Sequence, residues 1–418
     1  MQLEGEAMNQ VCIVAPGRVA IIGNSQPRQC GIATFTNDLA TALAAVYPEV
    51  AWPIVAMNDT PEGYAYPSNV RLSIDQADPA AYLRAADALN RSGVELVLLQ
   101  HEYGIFGGSA GDYLLPLLRR LRMPVVTTLH TILGEPDYEQ RRVLAEIAQI
   151  SARVITMSHL GVERLQKIYG VSAEKVVYIP HGIPDVPFTE PDDHKGRFGL
   201  TGRPLMLTFG LLSPGKGIET VIKALPTIVA HYPDFVYLVV GATHPHIKEH
   251  HGEAYREGLV QLAQELGVAD NLILHDHFVK LDELVRYIAA ADLYITPYLG
   301  REQIVSGTLA YTLGAGKAII STPYPYAEEL LADGRGELVA YGDSVAIAER
   351  TLRLLDHPAE RRALRERAYQ FGRWMVWPTV ARCYMGLFQQ ILPARTSVVQ
   401  AVPLPLTANS APEQFVAS

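Results

Sequence analysis

Apolar positions in this chain fall in short unbroken runs rather than in strict alternation with polar ones. Val11–Val14, Val19–Ile22, Leu96–Leu99, Val125–Leu129, Val154–Met157 and Val176–Ile179 are such runs, and most lead through a polar loop into a helical pattern. The first complete unit is Val19–Ile22, the Gly23–Gly31 loop and the amphipathic stretch Ala33–Val46. Unbroken apolar strands that alternate with helices predict a parallel sheet covered on both faces, hence an α/β fold.

The pattern breaks at Pro180-His181-Gly182-Ile183-Pro184, stays polar and turn-rich to Arg203, and then restarts. Leu205–Phe209, Phe235–Val240, Leu272–Leu274, Leu293–Thr296 and Ala318–Ser321 predict a second set of buried parallel strands. The reading is a domain over 1–185, a linker over 186–203 and a second domain over 204–372. A final helical pattern spans 373–392, and a Pro/Ser/Thr-rich segment over 393–418 is expected to be a mobile tail. Two α/β halves joined by one linker place the expected site in the cleft between them.

Composition narrows the class. The chain has 418 residues, 49% hydrophobic and 19% charged, which fits two ordinary folded domains and excludes disorder as the main state. Its three cysteines, Cys12, Cys30 and Cys383, are far apart and fit a reducing compartment. No apolar run is long enough to span a membrane, and the first residues carry no secretion pattern, so a cytoplasmic protein is expected. Lys+Arg 35 against Asp+Glu 44 gives −9, which argues against nonspecific nucleic-acid binding. Arg119, Arg120 and Arg122 on the Tyr113–Arg122 stretch could form a peripheral membrane patch, but a helix packing its leucines inward is the favoured reading.

Four loops at strand ends carry the chemistry. Gly210-Leu211-Leu212-Ser213-Pro214-Gly215-Lys216-Gly217 combines glycines that let backbone approach a ligand with a lysine suited to phosphate. Pro297–Tyr311 contains Arg301, Glu302 and Gln303, then Ser306-Gly307-Thr308 at an expected helix start, where amides and hydroxyls are free for an anion. Gln100-His101-Glu102-Tyr103 and Thr128-Leu129-His130-Thr131 each place a histidine directly after a strand, at the sheet edge where parallel sheets bind ligands. The histidine pairs around His244 and His250 read as a solvated surface, and no Asp-x-Asp at a strand end points to a metal.

Taken in order, these loops resemble the retaining glycosyltransferases of family 4. Gly31-Ile32-Ala33, Thr128–Thr131, Ser158, Ile179-Pro180-His181-Gly182, the Gly210–Gly217 loop, Gly316–Thr322 and Tyr324–Leu331 carry the resemblance from about Val11 to Ile391. It implies the GT-B fold: two Rossmann-like domains, the first on the acceptor side and the second on the donor side, with the 373–392 helix crossing back to the first. By position, Lys216 would pair with the donor diphosphate, Gly210, Ser306, Gly307 and Thr308 would meet its phosphates, and His130 would stand beside the donor sugar. Gly31 would let the first loop approach, while His101, Glu102 and Tyr103 are assigned to the acceptor or sugar pocket.

Three departures mark a divergent branch. Leu211 stands where the family has an arginine, and Arg301 is the expected substitute. Gln303 and Tyr311 stand where the family has paired glutamates; Gln303 keeps hydrogen bonds to sugar hydroxyls, Tyr311 replaces a ribose-binding carboxylate, and Glu302 takes part of the work. The expectation is retaining transfer of a hexosyl group from a UDP- or GDP-linked sugar to a carbohydrate or other hydroxyl acceptor, with no cofactor and no metal. A GT-B epimerase or phosphorylase, or a non-catalytic nucleotide-sugar-binding scaffold, are the alternatives.

Overall fold

The computed structural model describes residues 11–13, 15–393 and 396–398. Its strands are β1 (Val11–Ile13), β2 (Val19–Gly23), β3 (Ile54–Asn58), β4 (Val70–Asp75), β5 (Leu96–His101), β6 (Val125–Leu129), β7 (Arg153–Thr156) and β8 (Val176–Tyr178). After the linker come β9 (Leu205–Phe209), β10 (Val236–Val240), β11 (Leu272–His275), β12 (Leu293–Thr296), β13 (Ala318–Ser321), β14 (Glu337–Leu338) and β15 (Thr396–Val398).

Seven strands form one parallel sheet in the order β4-β3-β2-β5-β6-β7-β8, and six form a second in the order β11-β10-β9-β12-β13-β14. Each order reverses direction once, between β2 and β5 and between β9 and β12. A ligand crevice opens at such a reversal, because neighbouring loops leave the sheet toward opposite faces. The loops after β5, β9 and β12, three of the four singled out by sequence, and the Gly23–Gly31 loop after β2 flank these two points; the fourth, which carries His130, follows β6, one strand away.

The strands at the centre are wholly apolar because helices cover both faces. Every residue of β2, β9 and β10 is buried, whereas β4 at the sheet edge alternates exposed and half-buried positions except at Ile74. Short polar side chains start the helices. Cys30 Sγ accepts from Ala33 N at the head of Gly31–Val46, Ser158 accepts from Gly161 N, and Ser306 accepts from Leu309 N. In Leu114–Arg120 the four leucines are buried while Arg119 and Arg120 pair with Glu146 and Asp87, so the helix packs inward.

The last helix, Trp377–Ile391, packs with the first domain. Val380, Ala381, Tyr384, Met385 and Phe388 share a cluster with Phe35, Leu39, Val126 and Ile155. The crossover runs beside the linker, where Ile183 pairs with Val376 in an isolated bridge. Trp377 is buried there, while Trp374 is 39% exposed and leans on Phe371 and Tyr178. Within the segment expected to be a tail, Thr396–Val398 pairs antiparallel with Val11–Ile13; 394–395 and 399–418 lie outside the described residues. Among the described residues no helix is long and apolar enough to cross a membrane.

Candidate active site

Two loops of the second sheet lie side by side. Gly217 has φ +66°, and a side-chain carbon added there would sit 2.0 Å from Pro297 O, so only glycine fits between the loops after β9 and β12. Leu299 N donates to Gly215 O at 3.0 Å and locks them together. Gly210, at φ +119°, would place such a carbon 3.5 Å from Thr308 Cγ2, so backbone stands directly against the start of the Gly307–Gly314 helix.

Oriented donors gather at that helix start. The first amides of a helix have no partner within it and carry its positive pole. Ser306 Oγ caps the helix, Thr308 Oγ1 lies 3.2 Å from it, and Tyr298 Oη lies 2.9 Å from Thr308 Oγ1. Lys216 Nζ sits 4.0 Å from the centre of the Tyr298 ring. Burial would raise the Tyr298 phenol, but the Lys216 charge and the hydroxyl partners outweigh it and hold the phenol below its ordinary value.

The first sheet presents the opposite wall. His130, just past β6, has Nε2 3.0 Å from Gln100 Oε1, and its ring stands edge-on to Phe35 at 4.7 Å. Burial, then His181 and His101, push His130 down to about 3, so the imidazole is neutral in the working range. Phe35 also meets His181 at 5.1 Å, and a carbon added at Gly307 would lie 3.0 Å from His181 Nε2. A continuous path of rings therefore joins His130 to the Gly307 helix start. Gly31 is exposed, with nothing within 4 Å of where a side chain would begin.

His101, Glu102 and Tyr103 form a separate group at the end of β5. Glu102 accepts from Thr131 Oγ1 at 2.6 Å and from Tyr103 N at 3.0 Å, and burial raises its carboxyl. Tyr103 donates to Gln140 O at 3.2 Å. His101 is buried against Phe106, lowered by burial to about 4, and neither ring nitrogen has a hydrogen-bond partner among the described residues.

The divergent residues have these partners in the structure. The Arg301 guanidinium lies 4.7 Å over the Tyr341 ring. Glu302 pairs with Arg164 at 2.9 Å and accepts from Gly134 N at 3.0 Å, both in the first domain. Gln303 Nε2 donates to Val305 O, and Tyr326 N donates to Gln303 O. Tyr311 donates to Asp38 Oδ2 at 2.5 Å, across the cleft; burial raises Asp38 to about 6 against the lowering effect of that bond. Sequence reasoning missed Asp38 and Arg164, and did not foresee that Glu329, in the Tyr324–Leu331 segment that carries the resemblance, accepts from His159 N at 2.9 Å. Each is an ordinary helix residue in sequence, and only the folded cleft pairs it. Among the described residues no three His, Cys, Asp or Glu converge as a metal site would require.

The family model for Glycosyltransferase Family 4 matches residues 30–185, and that for Glycosyl transferases group 1 matches 191–371. A GDP-mannose-dependent alpha-(1-6)-phosphatidylinositol monomannoside mannosyltransferase of Mycolicibacterium smegmatis is 28% identical over 200 residues, 46% of this chain and 49% of that protein. Its namesake from Mycobacterium tuberculosis is 29% identical over 259 residues, 58% of this chain and 62% of that one. The chain thus aligns with about half to three-fifths of these relatives' length. Among solved structures, sucrose-phosphate synthase from Thermosynechococcus elongatus superposes with TM-score 0.74 at 19% identity, over 89% of this chain and 98% of that one. Anabaena Alr3699/HepE in complex with UDP gives TM-score 0.70 at 16% identity, over 89% and 100%. These two likenesses establish the GT-B architecture.

Proposed function

Because the chain belongs to the family 4, group 1 glycosyltransferases, we propose that it moves a hexosyl group from a UDP- or GDP-linked sugar to a carbohydrate or other hydroxyl acceptor. The proposed transfer retains the anomeric configuration and uses no metal. The observation that carries this reading is the anion-facing helix start at Ser306–Thr308, flanked by Lys216 and Gly210, with the neutral His130 on the opposite wall. A relative named for its use of GDP-mannose and a structural neighbour holding UDP support a diphosphate-linked donor.

In this mechanism the leaving diphosphate gathers negative charge as the anomeric bond breaks. Lys216 and the amides of Gly307 and Thr308 stabilise that charge with groups already oriented, so none must reorganise in the transition state. His130, uncharged, offers a hydrogen bond beside the sugar without opposing the positive charge that develops on the ring. The departing phosphate oxygen deprotonates the acceptor on the same face, which is what retention requires. Glu102 and Tyr103 line the acceptor side in this reading, with His101 buried beside them, and a closed cleft keeps water from the donor.

The test is nucleotide release from UDP-, GDP-, ADP- and dTDP-sugars, with and without mixed sugar acceptors and chelator. Release from one donor that survives chelator and falls at least about tenfold in Lys216→Ala is expected, since a charge-assisted hydrogen bond contributes about 1.5–3 kcal/mol. A second reading, nucleotide-sugar binding without transfer, is favoured by Gln303 and Tyr311 being engaged with Val305 and Asp38. Saturable binding with no turnover would establish it instead.

A further inference from the structure

We propose that Glu302 is a positioning residue: together with Ile304 it docks the 302–305 segment of the second domain onto the first, and so fixes the start of the Gly307–Gly314 helix over the His130 pocket. Its consequence for transfer rests on the function proposed above; the docking itself does not.

Ile304 is 2% exposed, yet the cluster that buries it, Leu129, Ile132, Leu144, Leu165 and Tyr169, comes entirely from the first domain. Burying an isoleucine removes its apolar surface from water, a gain made here only while the two domains are together. Two residues before it, Glu302 meets Arg164, whose side chain is 11% exposed and spends one donor on Ile132 O at 2.8 Å. A guanidinium so far withdrawn from water needs a carboxylate, and Glu302 supplies it from the other domain. Gly134 N donates to the same carboxylate oxygen, so loop, helix and segment meet at one atom.

The segment is held from its own side as well. Tyr326 N donates to Gln303 O, and the Gln303 side chain closes on Val305 O, leaving little slack before Ser306. A residue four positions before a capping serine therefore sets where that helix begins. Gln303 is turned onto its own loop, and the neighbouring Glu302 bolts the two domains together. Asp38–Tyr311 and Glu329–His159 N add two further contacts across the cleft.

A charge-swap cycle tests this: Arg164→Glu, Glu302→Arg and the double variant, with Glu302→Gln as a milder companion. The first readout is hydrogen exchange of ligand-free protein at amides 131–134 and 306–310. Each single variant is expected to speed exchange there by about fivefold, the scale of one lost ion pair, and the double variant to bring it back toward wild type. The second readout is donor turnover, where the single variants lower kcat with donor KM little changed, because Lys216 and the helix amides remain. If Arg164→Glu does not fold, Glu302→Arg and Glu302→Gln alone decide by the same exchange. Unchanged exchange in the single variants, or a double variant no better than the worse single, would overturn the proposal. Because exchange needs no substrate, it tests the docking even if the proposed reaction fails.

Discussion

Two glycines in the cleft separate what the backbone needs from what a ligand needs. Gly217 is fixed by the fold: its φ of +66° and the 2.0 Å approach to Pro297 O leave no place for a side chain. Gly217→Ala must therefore part the two loops, and a loss of at least about 2 kcal/mol in urea unfolding is expected, with weaker nucleotide binding because Lys216 moves with it. Gly31 lies in open space at the first turn of its helix. Gly31→Ala is expected to leave stability within about 0.5 kcal/mol of wild type, so any fall in transfer would report crowding of donor or acceptor. A Gly31→Ala variant that unfolds earlier in urea would remove that interpretation.

At the scale of elements, most strands were legible as unbroken apolar runs buried on both faces, but β3, β4 and β14 were not read: β4 lies at a sheet edge with exposed polar positions along it, and β14 is only 2 residues long. The four loops were legible because glycine, proline and a lone lysine at a strand end have few structural uses. What sequence could not show is pairing across long separations. Asp38 and Tyr311 are 273 residues apart, and each alone is an ordinary position on a helix. Gln303 and Glu302 were read as donor ligands from the place of the family's paired glutamates, and Arg301 as the substitute for the arginine missing at Leu211; the directions of their side chains depend on a domain that the loop itself does not encode. The final helix is held in the same long-range way. Tyr384 Oη and Thr128 Oγ1, 256 residues apart and buried, lie 2.9 Å from each other and tie that helix to β6. Tyr384→Phe removes one partner and strands a buried hydroxyl, so a loss of about 1 kcal/mol is expected, measured by urea unfolding. No loss would mean that Thr128 finds another partner.

Over the whole molecule, the buried titratable groups of the cleft set a pH dependence in which two opposite effects compete. His101 and His181 are lowered by burial to about 4, and His130 to about 3, all from 6.5. Each binds a proton in the unfolded chain before it can in the folded one, so its contribution is intact above pH 6.5 and is lost as pH falls toward 4. Asp38 acts in the opposite direction: raised by burial from 3.8 to about 6, it holds its proton in the folded state, and its contribution is lost as pH rises through 6. Between pH 6.5 and about pH 5 three imidazoles outweigh one carboxyl, and the net loss on acidification is on the order of 3 kcal/mol. Urea unfolding at the two pH values should show it as a lower midpoint in acid. Asp38→Asn removes only the opposing contribution, so it is expected to match wild type near pH 4, to gain on it at pH 8 and to steepen the acid slope. An asparagine also still accepts from Tyr311, so the cross-cleft bond survives the change. Equal midpoints at both pH values in the wild type would mean that these histidines are not buried as a neutral set, and with that the uncharged His130 of the proposed mechanism would lose its physical basis.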